Sequence, residues 1–386
     1  MALVTLTNPR LGQSRKLYVS AAYESTYGSA ATLSHIIAHD CSAKPLMETP
    51  IMLRDNAWAS GNLSASARRA FRQKVLANGS FPGIFASMDA LAIFISKLFS
   101  DDDVGSQIGA TGYYPHTMKM KDAPYFLHGM TMEEHRNGDT ADSGHDIQLQ
   151  GQAITGLTLQ FGLTDFGKIS IDYLGSGRVN SAQDRTDGDF TYPQKFLSMD
   201  RVKVYWAPIV TQGDTIWAGT FSTGSTQDAG VFATAPSGGF TDISGLITGL
   251  TLKLQTGASD DSRAGGQSAD SGFYGGPPLA REPLAFLDLD FYSGDTLEAW
   301  LRDFAGQTFD DMNQGTFVID LAGTVDEEYG QIVIPVATQI GEPGGGTGVG
   351  VVTHTASFAA DKGYAGTIEQ PVECSFQIHT ITALGA

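Results

Sequence analysis

Residues Ile154–Gly175 read ITGLTLQFGLTDFGKISIDYLG. Leu157, Leu159 and Phe161 alternate with Thr158 and Gln160, and Ile169, Ile171 and Tyr173 alternate with Ser170 and Asp172. A period of two sends successive side chains to opposite faces, so each run predicts a strand with one apolar and one wet face. The short DFGK stretch, Asp165 to Lys168, joins the two runs as a hairpin. The same rhythm covers Phe126, His128, Met130 and Met132, then Val202, Val204 and Trp206, then Leu250, Leu252 and Leu254. It returns at Leu287, Leu289 and Phe291, at Phe317, Ile319 and Leu321, at Ile332, Ile334 and Val336, and at Cys374, Phe376 and Ile378. Many short strands between Gly-rich turns predict a mainly β protein with an antiparallel β-sandwich or barrel core.

Toward the N-terminus the period changes. After Pro82, Ile84, Phe85, Met88, Leu91, Ile95 and Leu98 recur at helical spacing, and Asp101 to Asp103 end the run. Ser64 suits a helix cap, which predicts a second helix over Ser66–Leu76 closed by Asn78 and Gly79. A short helix is also expected from Asp295 to Phe304. The organisation read from the chain is a long N-terminal arm and helical region over 1–124, then a β core over 125–386. One or two helices flank that core, and a polar loop or subdomain is inserted at about 176–245. Gly257–Pro278 and the GEPGGGTGVG segment at Gly341 read as further exposed loops. The hexapeptide ITGLTL at Ile154 recurs at Ile247, either as a duplicated half-domain or as two strands meeting the same pattern demand.

The 386 residues carry 42 acidic against 24 basic side chains, a formal charge of −18, while 41% are hydrophobic. That apolar share is enough for a sizeable core. The acidic excess argues against a protein that grips nucleic acid, because phosphates are held by Lys and Arg. Cys41 and Cys374 cannot form a disulfide framework for a chain this long and read as buried thiols. The N-terminal stretch lacks the basic head and apolar segment of a signal peptide, so folding in a cytoplasm is expected. Gly83–Phe99 is apolar, but Asp89 and Lys97 interrupt it, so it reads as a buried helix and not a membrane span.

Chemistry-bearing clusters are sparse. His35 and His39, four apart, would share a face if helical, with Cys41 near; the Glu of a zinc-protease helix is missing, so ordinary imidazoles are the better reading. Asp184, Asp187 and Asp189 imitate a calcium loop, but Thr186 and Gly188 stand where oxygen ligands belong. Asp288 and Asp290 point the same way from one strand without a third partner. No nucleophile elbow or phosphate-binding glycine loop is present, so neither enzymatic activity nor a cofactor or metal is expected.

With this pattern laid out, the chain resembles bacteriophage tail tube (major tail) proteins. The resemblance rests on Tyr23–Gly28 (YESTYG), the short helix Met88–Phe99, the paired strands of Ile154–Gly175, and the late pair GTFVIDLAG and QIVIPVATQ within Asn313–Gln339. It implies subunits, usually six to a ring, that join their sheets and stack into the tube through which DNA is ejected; longer, duplicated members form trimeric rings. It also implies a place in the virion after assembly in the host cytoplasm, without a membrane. The implied partners are other copies of the chain, tape-measure, terminator, baseplate or tip proteins, a sheath where the tail contracts, and genomic DNA passing without specific binding. On that reading Asp172, Asp288, Asp290 and Asp320 are lumen-facing candidates. Leu46, Ile51, Trp58, Asp184, Asp187 and Asp189 are ring-stacking candidates. The alternatives are another phage-tail or secretion-tube β-protein, such as a terminator or hub, or a carbohydrate-binding sandwich using Trp58, Trp206, Trp217 and Trp300.

Overall fold

A computed structural model describes residues 15–40, 49–54, 70–108, 111–135, 147–185, 196–209, 239–259, 276–292, 314–340, 344–345, 353–361 and 370–379, with 217, 221, 230, 232 and 236. The first half contributes β1 (Lys16–Val19), β2 (His35–Ile37), β3 (Thr49–Arg54), β4 (Ala70–Phe85), α1 (Met88–Phe99), β5 (Asp103–Val104), β6 (Tyr113–Lys119), β7 (Tyr125–Phe126) and β8 (Met130–His135). Next come β9 (Ile147–Gly162), β10 (Lys168–Gly175), β11 (Arg178–Ser181), β12 (Val202–Pro208), β13 (Thr241–Asp242) and β14 (Ile247–Gln255). The chain ends with β15 (Leu279–Ala280), β16 (Leu284–Tyr292), β17 (Gln314–Ala322), β18 (Tyr329–Gln339), β19 (Gly344–Gly345), β20 (Thr353–Asp361) and β21 (Glu373–His379). The protein is mainly β, and the strand pairs are antiparallel.

One wide sheet runs β3-β4-β10-β9-β14-β16-β20. A second runs β13-β12-β17-β18-β21-β6-β5. Two strands change partners along their length: β18 ties these two sheets together, and β9 ties the wide sheet to a third, β2-β1-β8-β9-β11. The first half of β9 pairs with β8 and β11 and its second half with β10 and β14. The turn-over falls at Gly151, whose φ is +66° and where a Cβ would come within 2.7 Å of Ser176. Only glycine meets both demands. On β18, Tyr329–Val333 pair with β21 and Val336–Gln339 with β20, on either side of Pro335.

Helix α1 packs against β9 of one layer and β6 and β21 of the other. Ser87 caps it, its hydroxyl accepting from the Ala90 N–H at 3.3 Å, and Ser100 ends it in the left-handed region at φ 50°. Its apolar side chains, with Phe81, Ile171, Leu252, Phe317 and Phe376, belong to one continuous core. No helix among the described residues is long and apolar enough to cross a membrane. Lys97 is wholly buried: its ammonium donates to the Ala21 carbonyl and lies 3.8 Å from the centre of the Tyr23 ring. Burial lowers its pKa well below that of a free lysine.

The DFGK stretch closes the β9–β10 hairpin with Lys168 opposite Gln160, as the alternation predicted. Several other expectations change. Residues 70–76 are part of strand β4, not of a helix over Ser66–Leu76; they pair with β3, and the rest of β4, from Ala77 to Phe85, pairs with β10. Pairing partners distant in sequence override local helix propensity. Gly79 does not close a helix; it lies in β4 opposite Tyr173, where a Cβ would run into the phenol oxygen. His35 lies on strand β2, so it and His39 share no helical face. The expected strand from Phe126 breaks at Leu127–Gly129, leaving Phe126 exposed and Leu127 buried. The boundary at 124/125 does not divide the core, since β1 pairs with β8, β4 with β10 and β6 with β21. The described helix α1 is almost wholly buried against β9, β6 and β21; the helix expected at 295–304 falls outside the described residues.

The ITGLTL echo has a structural counterpart. Its two copies lie on β9 and β14, adjacent and antiparallel, with the equivalent Leu159 and Leu252 directly opposed. Outside them, Asp172 on β10 faces Gly156 and Asp290 on β16 faces Gly249. Both outer ladders shift register at the same place, beside Thr155 in one copy and Thr248 in the other. Four strands thus obey a local two-fold relation that includes a bulge, a feature that pattern demand alone does not specify.

Candidate functional site

The wide sheet buries Leu157, Leu159, Ile169, Ile171, Leu252 and Leu289, which turns their neighbours to the opposite face. That face carries Lys168, Ser170 and Asp172 on β10, Thr158 and Gln160 on β9, Thr251 and Lys253 on β14, Asp288 and Asp290 on β16, and Thr355 and Ser357 on β20. Glycines make room for two of the carboxylates. A Cβ at Gly156 would stand 3.0 Å from Asp172 Oδ2, and one at Gly249 2.8 Å from Asp290 Oδ2. Thr355 donates its hydroxyl to Asp290 Oδ1 at 2.5 Å, and Lys253 Nζ lies 3.0 Å from Asp288 Oδ2. Such a half-exposed pair contributes little to stability, but it halves the acidity of that strand. The strip is therefore rich in hydroxyl groups and modestly acidic.

Asp172, Asp288 and Asp290 share this face, as the alternation predicted; Asp320 does not. Its side chain is wholly buried on the outer face of β17, with Oδ1 accepting from Gln331 Nε2 at 2.6 Å. Burial raises its pKa to about 6, against the lowering effect of hydrogen bonds from Gln331 and Tyr329. The face it occupies is covered: Val318, Val333, Tyr205 and Trp217 form a second, smaller core there, joined by Phe221 and Phe240. The inserted region supplies Trp217, Phe221 and Phe240, and its strand β12 is an integral member of the second sheet.

The YESTYG segment does structural work that composition did not reveal. Glu24 is buried, and Oε1 accepts from the Gly151 N–H at 2.7 Å and the Thr131 hydroxyl at 2.8 Å, while Oε2 accepts from the Gly28 N–H at 2.8 Å. Burial raises its pKa despite these donors. Next to it, Tyr23 stacks on His128 at 4.3 Å and donates its hydroxyl to the Ser96 carbonyl at 2.8 Å. The loop is thereby fixed to α1, β8 and the bend of β9 together.

A second buried cluster holds the start of the insertion. Arg185 grips Glu133 with both arms, Nε to Oε1 at 2.9 Å and Nη2 to Oε2 at 3.1 Å. His135 Nε2 lies 2.7 Å from Oε1, and Gln148 donates to Oε2 at 2.8 Å. Burial pushes the Glu133 carboxyl up, but hydrogen bonds from His135 and Arg185 outweigh it and hold the pKa below the usual range. Bidentate pairing of this kind is strong and directional.

Of the ring-stacking candidates, Asp184 is exposed beside Arg185 and Ile51 lies on β3 opposite Lys74; Leu46, Trp58, Asp187 and Asp189 fall outside the described residues. No group of three or more His, Cys, Asp or Glu among the described residues could hold a metal ion. Cys374 is a buried free thiol. Trp206 and Trp217 are 7% and 5% exposed, too deep to form a sugar platform; Trp58 and Trp300 lie outside the described residues. No protein-family model matches the chain, and no curated protein matches it.

Proposed function

We propose that this protein is a structural subunit of a bacteriophage tail tube, self-assembling into rings that stack into the conduit for DNA ejection. The observation that best supports the reading is the two-fold relation between the β9–β10 and β14–β16 strand pairs. A subunit whose sheet already repeats one hairpin unit can pass the same strand-to-strand relation to the next subunit, and closing the sheet removes its edges. Three chains would then supply six such units, which favours a three-chain ring over a six-chain one. The wet face of the sheet becomes the lumen. Asp172, Asp288 and Asp290 lie fixed there, and carboxylates repel phosphates over roughly 8 Å at physiological salt, while Lys253 tempers the field.

The burial of Trp206 and Trp217 counts against the carbohydrate-binding alternative. Negative-stain microscopy and mass photometry of the purified chain test the proposal directly. Rings of three chains and tubes are the expected outcome, and a protein that stays monomeric at every concentration refutes it.

A further inference from the structure

The turn joining β9 to β10, Leu163-Thr164-Asp165-Phe166, is exposed throughout, with Leu163 at 54% and Phe166 at 52%. Isolated exposed apolar residues are ordinary, but this tip is braced. The Phe166 ring lies 5.9 Å from that of Phe196 and 6.4 Å from that of Phe85, and those two are 5.1 Å apart. Behind them three segments close a ring of backbone hydrogen bonds: Gly167 N–H to Leu197 O at 2.7 Å, Leu197 N–H to Ala86 O and Ala86 N–H to Gly167 O, both at 2.8 Å. An aromatic held out rigidly loses little entropy when it docks, which is the character of an interface anchor.

The β9–β14 ladder runs from Gly162 opposite Gly249, beside this tip, to Gly156 opposite Gln255, a length of about 20 Å. At the far end Thr256 donates its N–H to the Thr155 carbonyl and accepts from the Arg281 N–H at 3.1 Å. This places the small β7–β15 sheet there. Leu279 pairs with Phe126, so the two share a face, while Tyr125 and Ala280 pack inward with Tyr27, Leu127 and Ala153. Phe126 is 53% exposed, Arg281 directly after β15 is exposed, and Leu284, 38% exposed, opens β16 opposite Gln255. Glu282, the neighbour of opposite sign, is also exposed, with its backbone close to Gly257. Among the described residues neither Asp165 nor Arg281 has an ion-pair partner.

One end of the sheet therefore offers Leu163 and Phe166 with a carboxylate, and the other offers Phe126, Leu279 and Leu284 with a guanidinium. We infer that the hairpin tip of one copy docks on the outer face of the β7–β15 sheet of the next copy, with Asp165 meeting Arg281. The tip against itself would oppose two Asp165 carboxylates, whereas head to tail Asp165 meets Arg281. Because the patches lie at opposite ends of the strands, the contact repeats along the strand direction and does not close. The inference rests on the proposed tube and names its ring-to-ring contact, with residues other than the stacking candidates read from the sequence.

The test uses the full chain with Asp165→Arg, Arg281→Asp and the double reversal, each first shown by thermal melting to fold like wild type. Assembly is followed by sedimentation velocity and negative-stain microscopy. Each single reversal is expected to leave rings that do not stack, or to raise the concentration needed for stacking about tenfold, and the double reversal to restore tubes. Phe166→Ser is expected to block stacking in either background. Single variants that stack like wild type, or a double variant no better than the singles, overturn this contact and leave the ring reading standing. Linear filaments without rings support the contact and count against the rings. A wild-type chain that never assembles overturns the assembly reading and this contact with it.

Discussion

At the scale of single residues, burial decides what a carboxylate does. Asp320 has a folded-state pKa of about 6, above the unfolded value of about 3.9. Its favourable contribution is thus fully present below the unfolded pKa and is lost as pH rises through 6. At pH 8 the ionised form costs roughly 3 kcal/mol relative to an uncharged equivalent. Asp320→Asn keeps an acceptor for Gln331, so it should raise the melting temperature at pH 8 and change it little at pH 4. Equal shifts at both pH values would refute the assignment. Glu24 behaves differently, because three donors converge on it. Glu24→Ala strands two buried backbone N–H groups and should cost about 3 kcal/mol in urea unfolding; a loss below about 1 kcal/mol would show that Glu24 is not the tie described. Alternation put Asp172, Asp288 and Asp290 on a wet face, where they lie, but put Asp320 on one too, where it is buried. Alternation separates two faces without saying that both are covered. The available hint was Val318, an apolar residue on the face assigned to water, beside Tyr205 and Val333.

At the scale of elements, strands with a clean period of two were legible from β9 to β18, because one buried face imposes the period whatever the partner. Strand β4 was not legible. Arg68, Arg69, Ala70, Arg72, Gln73, Lys74 and Leu76 are all good helix formers; over 70–76 the pairing that overrides this propensity comes from β3, and from Ala77 onward β4 pairs with β10. Gly79 records that pairing. Gly79→Ala should destabilise the fold by about 1–3 kcal/mol, because Tyr173 must move aside; a neutral substitution would contradict the close β4–β10 approach. The Arg185–Glu133 clamp joins the inserted region to β8. Arg185→Ala leaves a buried carboxylate short of its main counter-charge and should cost about 2–3 kcal/mol, read by denaturant titration, with Arg185→Lys recovering only part. Full recovery by Lys would mean that charge alone, without the two-armed geometry, holds the pair.

At the scale of the whole molecule, the layered β architecture followed from pattern, whereas a main core shared by both halves of the chain did not. A change of period near 124 suggested a boundary, yet β1, β4 and β6 are completed only by strands from the later part of the chain. If the wet face lines a DNA conduit, Asp172→Lys, Asp288→Lys and Asp290→Lys combined should leave ring assembly unchanged and slow DNA delivery, measured by potassium efflux or phage titre. Unaltered delivery would move the lumen to another face. The paired hairpins also bear on how such a surface can evolve. When two equivalent units come from separate identical chains, every substitution appears in both. Here the units lie in one chain and differ: Asp288 stands where its counterpart is Ser170, and Lys253 where its counterpart is Gln160. Such a chain can alternate two surface chemistries around an assembly with a single gene product, and one unit is free to specialise while the other preserves the original contact.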